Sequence, residues 1–375
     1  MSKAEYKRLG DYIREVNVRN LDLKVTNLLG VSISKEFMPS IAITIGTDMS
    51  TYKIVERGQF AYGPVTSRNG DKVSIALFDG YDDAIISQAY TVFEVIGHEQ
   101  LLPEYLMMWF RRPEFDRYAR FHSHGSAHEI FDWEELCDVM LPIPSITRQR
   151  EIVSEYETLT NRIRLNEQMI QHLEATAQAL YRKMFVDGID KENAFVKDIC
   201  EIQSGFAFKS EWWQKEGIPV IKINNIRNNT IYRDECDCVS EDNAKIAHRS
   251  TAHKGDIVMA LTGNVGKISI VPDEGYLVNQ RVGLFRVDDD MREYLYLVLS
   301  STEIQNTILS IGGGSVQTNI SPNDIESIKI TLPHNEEMRN FHNQASPVFS
   351  TIFSKQQENL QLTKLQSLLL ARMGH

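Results

Sequence analysis

From Arg148 to Phe185 the chain repeats a seam at alternating steps of four and three: Ile152, Tyr156, Leu159, Ile163, Asn166, Ile170, Leu173, Ala177, Leu180 and Met184. That spacing is an a/d heptad seam, which lets one helix pack lengthwise on another. No Pro or Gly interrupts it, and Pro142 and Pro144 mark an extended approach to its start. At ~1.5 Å per residue the predicted helix is roughly 57 Å long, well beyond an ordinary globular helix. A helix of that kind is a spacer, and its seam needs a partner.

The partner is expected in the same chain. From Gly125 onwards the sequence finds a second copy of itself at the offset of 189 that carries Gly125 onto Gly314. Pro144 falls on Pro333, Arg150 on Arg339, Ile163 on Ile352, Leu173 on Leu362, Leu180 on Leu369 and Met184 on Met373. The second copy reads Phe341, Ala345, Val348, Ile352, Lys355, Asn359, Leu362, Gln366, Leu369, Met373, the same seam with more polar interruptions. A solvated surface helix is the plainer alternative. The matched register favours a duplicated helix packed on the first.

The rest of the chain repeats as well. LLGVSIS, SIAITIG, VSIALF and AYTVFEVI in the first third read as strands, and EYLMMWFRRPEFDRYARF reads as a helix held near Pro113. After the long helix, VDGIDKENAFV (186–196) is a polar joint. Then KDICEIQ (197–203) stands where GDYIREV stood at 10–16, and HKGDIVMA (253–260) where ERGQFAYG stood at 56–63. VNQRVGLFRV (278–287) matches ISQAYTVFEV (86–95), and EYLYLVL (293–299) matches EYLMMWF (104–110). Landmarks recurring in one order and ending in the same helix amount to a tandem duplication.

Composition changes this picture little. With 375 residues, 42% apolar and 24% charged, the chain has room for two or three soluble domains. Its start lacks a signal-peptide core, and no apolar run approaches membrane-spanning length. Cys137, Cys200, Cys236 and Cys238 form neither a CxxC pair nor a disulfide framework, so a reducing cytoplasm is expected. The net charge of −11 argues against a free-standing generic nucleic-acid binder, yet local patches outweigh the sum. It predicts weak DNA affinity for the isolated chain, or a grip shared with a partner.

Catalytic motifs fail on inspection. TGNVGK (262–267) lacks P-loop spacing, since Lys267 is followed by Ile268, and IGGGS (311–315) is not placed as a dinucleotide loop. GxSxG, HExxH and kinase signatures are missing. His122, His124 and His128 with Glu129 read as a polar loop in preference to a metal site, and the paired copy GSVQTNI has no histidine. No metal or catalytic residue is therefore assigned.

DNA binding fits better. Residues 203–233 hold Lys209, Lys215, Lys222, Arg227 and Arg233 against Glu211 and Glu216, and IKINNIRNN gathers Lys222, Asn224, Asn225, Arg227, Asn228 and Asn229. Asn can bond adenine bidentately and Arg guanine. An Asn-rich turn between strands explains the same run equally well. In the first half Tyr62, Arg68, Asn69 and Lys72 are expected on an exposed loop, and Lys267 and Gln317 join the candidates. Arg111, Arg112, Arg117 and Arg120 could hold phosphates, although a solvated helix face is favoured.

Together these stretches resemble the DNA-specificity subunit of type I restriction–modification enzymes. The resemblance rests on SGFAFKS (204–210), IPVIKINNI (218–226), HKGDIVMALTGNVGKISIV (253–271), NQRVGLFRV (279–287), PIPSITRQREI (142–152) and LEATAQALYRKMF (173–185). It covers nearly the whole chain. It implies an α+β fold with internal pseudo-twofold duplication: two α/β target recognition domains at 1–145 and 187–333, and two long antiparallel coiled-coil-like helices at 146–186 and 334–375. It implies a non-catalytic chain whose recognition domains each read half of a split double-stranded DNA target. The seam residues Ile152, Tyr156, Leu159, Ile163, Ile170, Leu173, Leu180, Ile352, Leu362 and Leu369 would join the helices and dock two methyltransferase subunits. S-adenosylmethionine would belong to those partners, and a motor-nuclease subunit would join them for restriction in bacterial phage defence. If the helices act as a ruler, roughly 57 Å corresponds to about 17 base pairs as an upper limit. The alternatives are a specificity subunit of a type IIB-like or other phage-defence system, and a coiled-coil scaffold that binds proteins.

Overall fold

The computed structural model describes residues 5–40, 47–66, 70, 72–80, 83–124, 129–186, 192–312 and 319–374. They fall into two compact units, Met1–Arg164 with Leu360–His375, and Leu165–Asn359.

In the first unit one sheet runs in the order Ile13–Val16, Thr91–Val95, Phe60–Tyr62, Ile75–Leu77, all antiparallel. Its side chains alternate. Phe60, Tyr62, Ile75, Phe93 and Val95 face the helices, whereas Ala61, Ala76 and Val92 face a second sheet. That second sheet runs Phe37–Pro39, Leu28–Val31, Asp83–Ile86, Lys53–Glu56, with its central pair parallel. The first sheet is thus covered on both faces, which is why its strands read as nearly continuous apolar runs. Three of the expected strands appear at 28–31, 75–77 and 91–95; residues 41–46 of SIAITIG lie outside the described residues. The single helix expected over 104–121 is two, Pro103–Phe110 and Pro113–Phe121. Pro113 cannot extend a helix from the preceding residue but is well suited to begin one.

The second unit repeats this topology strand for strand. Its first sheet runs Cys200–Ser204, Val282–Val287, Ile257–Ala260, Ile268–Ile270. Its second runs Cys238–Val239, Ile218–Ile221, Tyr276–Val278, Thr251–Ala252, again with a parallel central pair. Tertiary hydrogen bonds repeat too. Tyr105 donates its hydroxyl to the Pro142 carbonyl at 3.1 Å, and Tyr294, its counterpart at the offset of 189, donates to the carbonyl of Thr331. Leu9 N–H bonds the Val139 carbonyl at 2.9 Å, and Val196 N–H bonds that of Ile328 at 3.1 Å. The duplication is therefore one of structure, reaching to the bonds that pin each helix to its closing strand.

The two long helices are Ile146–Tyr181 and Asn335–Arg372. Ser145 begins the first, its hydroxyl accepting Arg148 N–H at 3.4 Å. Buried Gln149 fastens it by bonds to Leu102 N, Gln100 O and Pro144 O. At 36 residues it is about 54 Å long. It ends in a π-helical turn, Arg182–Val186, that seats Phe185 against Tyr294 and Phe341. The second contains Pro347, which leaves one helical hydrogen bond unmade. Every position of the predicted seam, in both helices, is buried or partly buried. Within the first unit the segments run in opposite directions, with Gln366 donating to Thr160 at 2.7 Å and Val153 and Tyr156 sharing a core with Leu370 and Met373. Within the second unit Asn166 donates to Asn359 at 2.9 Å, a polar pair inside the seam.

Candidate nucleic-acid interface

In the second unit the chain between Ile218–Ile221 and Cys238–Val239 carries most of the expected DNA-facing residues. It makes a 3-10 turn at Ile223–Asn225, then a hairpin of Ile226–Arg227 with Thr230–Ile231. Asn228 and Asn229 form its tip at φ of 49° and 57°. Two successive left-handed residues make a type I′ turn, and Asn bears that geometry with little strain. Asn225 is 4% exposed: its Oδ1 accepts Lys222 N–H at 2.9 Å and its Nδ2 donates to the Glu235 carbonyl at 3.0 Å. It shapes the turn from inside. Asn224 and Asn228 stand exposed.

The cations of this loop are held. Lys222 Nζ lies 2.6 Å from Asp237 and 3.5 Å from the Trp213 ring centre. Arg227 bonds Glu235 at 2.6 Å and covers Tyr232, and Arg233 covers Tyr276. Ion pairs this exposed contribute about 0–1 kcal/mol, so a phosphate oxygen can replace the carboxylate at little cost. The neighbouring thiols do not compete, since burial pushes Cys236 up to about 12, keeping it protonated.

Beside the loop lies an aromatic platform that sequence reasoning passed over. Phe206 stacks on Trp212 at 5.9 Å, Phe208 tilts against Trp213 at 5.4 Å, and Lys209 Nζ sits 5.6 Å from the Trp212 ring centre. The signal was present in FAF followed by EWW, aromatic residues interleaved with Lys209. Gly205 makes the platform possible: a Cβ there would meet the Val278 carbonyl oxygen at 2.1 Å, so only glycine lets these backbones approach. Lys267 is exposed just before Ile268–Ile270, the strand against which the 226–231 hairpin packs.

The first unit places its candidates differently. Tyr62, expected on an exposed loop, closes a core strand and is 1% exposed. Its alternating position put it on the helix-facing side of the sheet. Lys72 is exposed, whereas Arg68, Asn69 and Gln317 lie outside the described residues. Arg112 is 7% exposed over Trp109, Arg111 reaches Tyr156, Arg117 pairs with Glu114 and Arg120 bonds the Gly70 carbonyl. His122 and His124 each meet one oxygen of Glu135, at 2.9 and 3.3 Å, while His128 is outside the described residues. Sequence reasoning also missed Lys35, 5% exposed, with Nζ on the Phe110 carbonyl and 2.8 Å from Asp116. Burial holds its ammonium below the usual lysine range. Among the described residues no helix is long and apolar enough to cross a membrane.

Comparison with known proteins brings these features together. A family model described as "Type I restriction modification DNA specificity domain" matches residues 189–366. The type I restriction enzyme MjaVIII specificity subunit of Methanocaldococcus jannaschii is 24% identical over 279 residues, covering 68% of this chain and 66% of that protein. The HindI specificity subunit of Haemophilus influenzae is 21% identical over 401 residues, covering 86% of each. The crystal structure of a type I restriction–modification S subunit from M. genitalium superposes with a TM-score of 0.62 over the whole chain and 97% of its own, at 11% identity. At that identity the likeness is one of fold.

Proposed function

We propose that this chain, which belongs to the family of type I restriction–modification DNA-specificity subunits, reads a bipartite double-stranded DNA target, one half-site per unit. The observation that carries this reading is the repeated topology: each unit has the same pair of four-stranded sheets in the same order. A chain that carries one reading module twice, with different loops on each, is suited to an asymmetric split target. The long helices then set the gap between half-sites. Methylation of adenine falls to modification subunits that bring S-adenosylmethionine, and cleavage to a motor-nuclease subunit.

Partner docking follows from where apolar surface remains. The seam residues are buried or partly buried within the chain, which favours a docking face off the seam. Off the seam, Leu365 and Leu368 are 48% and 58% exposed in the first unit, and Leu165 and Met169 are 52% and 45% exposed in the second. Large apolar side chains left in water along a helix mark a face for another protein.

The test is a map of N6-methyladenine in the source cell with and without this gene. Loss of methylation at one split motif, with different bases in its two halves, is the expected result. Loss at an unsplit motif, or identical half-sites, would overturn the reading.

A further inference from the structure

The hairpin tip at Asn229, itself exposed, meets both long helices and the first sheet within the second unit. Its carboxamide Nδ2 donates to Glu174 Oε1 on the first long helix at 3.0 Å. Its main-chain oxygen accepts Ser269 Oγ from the first sheet at 3.0 Å and Gln356 Nε2 from the second long helix at 3.4 Å. Ser269 and Gln356 are 1% and 8% exposed, so these are interior donors aimed at one residue. Behind the tip lies a cavity of about 220 Å³ lined by Glu174, Tyr296, Phe349 and Gln356 among others.

The equivalent loop of the first unit does the same with other chemistry. Between Leu28–Val31 and Phe37–Pro39 it also carries a left-handed residue, Lys35 at φ 66°, which fastens onto the Phe110 carbonyl and Asp116. In both units, then, this loop sends a left-handed tip residue to a helix. An Asn that reads adenine needs both ends of its carboxamide for the base edge. Asn229 has one of its two amide hydrogens on a carboxylate, an acceptor that strengthens the bond and orients the carboxamide toward the helix.

We propose that Asn229 is a positioning residue: it fixes the second recognition sheet to the helix pair and so governs which gap length is accepted, and it reads no base. This rests on the ruler reading above. Asn229→Gly keeps a left-handed tip and deletes the carboxamide, and Glu174→Ala deletes its acceptor. Each full-length variant is assembled with its methyltransferase partner, and methylation is sequenced on a DNA library with randomised half-sites and gaps.

Both variants are expected to leave the half-site bases unchanged. Methylation at gaps one base pair too long or short should rise about fivefold, the scale of one lost hydrogen bond. Asn229→Gly/Glu174→Ala should be no more permissive than either single change. Asn228→Gly, in the same turn, should leave the gap strict. A changed base preference in Asn229→Gly with the gap still strict overturns the proposal, as does an unchanged library profile in both single variants. If the wild-type complex itself marks no split target, the function proposed above fails first, and this inference with it.

Discussion

Lys222 offers the sharpest quantitative test of the DNA face. Its ammonium lies 2.6 Å from Asp237, with the two side chains 29% and 60% exposed. A pair so open to water holds by about 0.5–1 kcal/mol, which corresponds to about a two- to fivefold change in affinity. If Lys222 exchanges Asp237 for a phosphate on binding, Asp237→Asn removes the competitor and should tighten binding by that factor. Lys222→Ala should weaken binding and reduce the slope of log K against log salt by about 0.9, one counterion fewer. Over a fourfold rise in salt, that slope change amounts to about a three- to fourfold smaller loss of affinity. The assay is fluorescence anisotropy of a labelled target duplex, titrated with the complete methyltransferase complex across that salt range. Because a phosphate contact carries no sequence information, Lys222→Ala should weaken target and non-target duplexes alike. An unchanged affinity and slope in Lys222→Ala would refute the reasoning. Lys222 would then serve only Trp213 and Asp237.

Further predictions concern the scaffold. Lys35→Met should destabilise the first unit by about 3 kcal/mol, because it removes the cation beside Asp116, which is 13% exposed and is left with the Val73 N–H bond; amide exchange on peptides of that unit reads the loss. Since burial lowers the Lys35 pKa, the unfolded chain holds its proton to higher pH than the folded one, and this residue's contribution to stability rises with pH just below the ordinary lysine value; the rise should vanish in Lys35→Met. Asn166→Leu should cost about 0.5–1.5 kcal/mol by removing the Asn166–Asn359 bond inside the seam, as read by thermal unfolding. Tyr105→Phe and Tyr294→Phe should each cost about 1 kcal/mol, in the first and second unit respectively; a clear inequality in unit-resolved exchange would count against equivalent roles.

What the sequence shows best is what periodicity can encode. The seam was legible because a heptad stripe must be covered along its whole length, whatever covers it, and each of its positions is. The duplication was legible because the two copies keep matched bonds, such as those of Tyr105 and Tyr294. The candidate site was harder to read. Asn225 and Asn228 are three residues apart in one polar run, yet one is buried and the other exposed. Residue type tells that a side chain can form hydrogen bonds, not which partner the fold supplies. Tyr62 was misplaced for a related reason, since its loop-like neighbours Gly63 and Pro64 begin just after the strand ends. Lys35 and Glu174 escaped notice because their partners lie far along the chain.

The repeat also shows which parts of each unit had to stay alike. Bonds that close the fold, the tyrosine to the last strand and the backbone pair at the first turn, recur in both copies. The loop after the second sheet's central strand does not recur: five residues, 32–36, in the first unit, but 16, 222–237, in the second. A fold in which sheets and helices carry stability lets such a loop change length freely, because closure entropy grows only slowly with loop size. Each loop nevertheless retains a left-handed tip residue bonded to a helix, Lys35 in one and Asn229 in the other. A loop that diverges in sequence and length while keeping its anchor can alter a reading surface without loosening it from the frame.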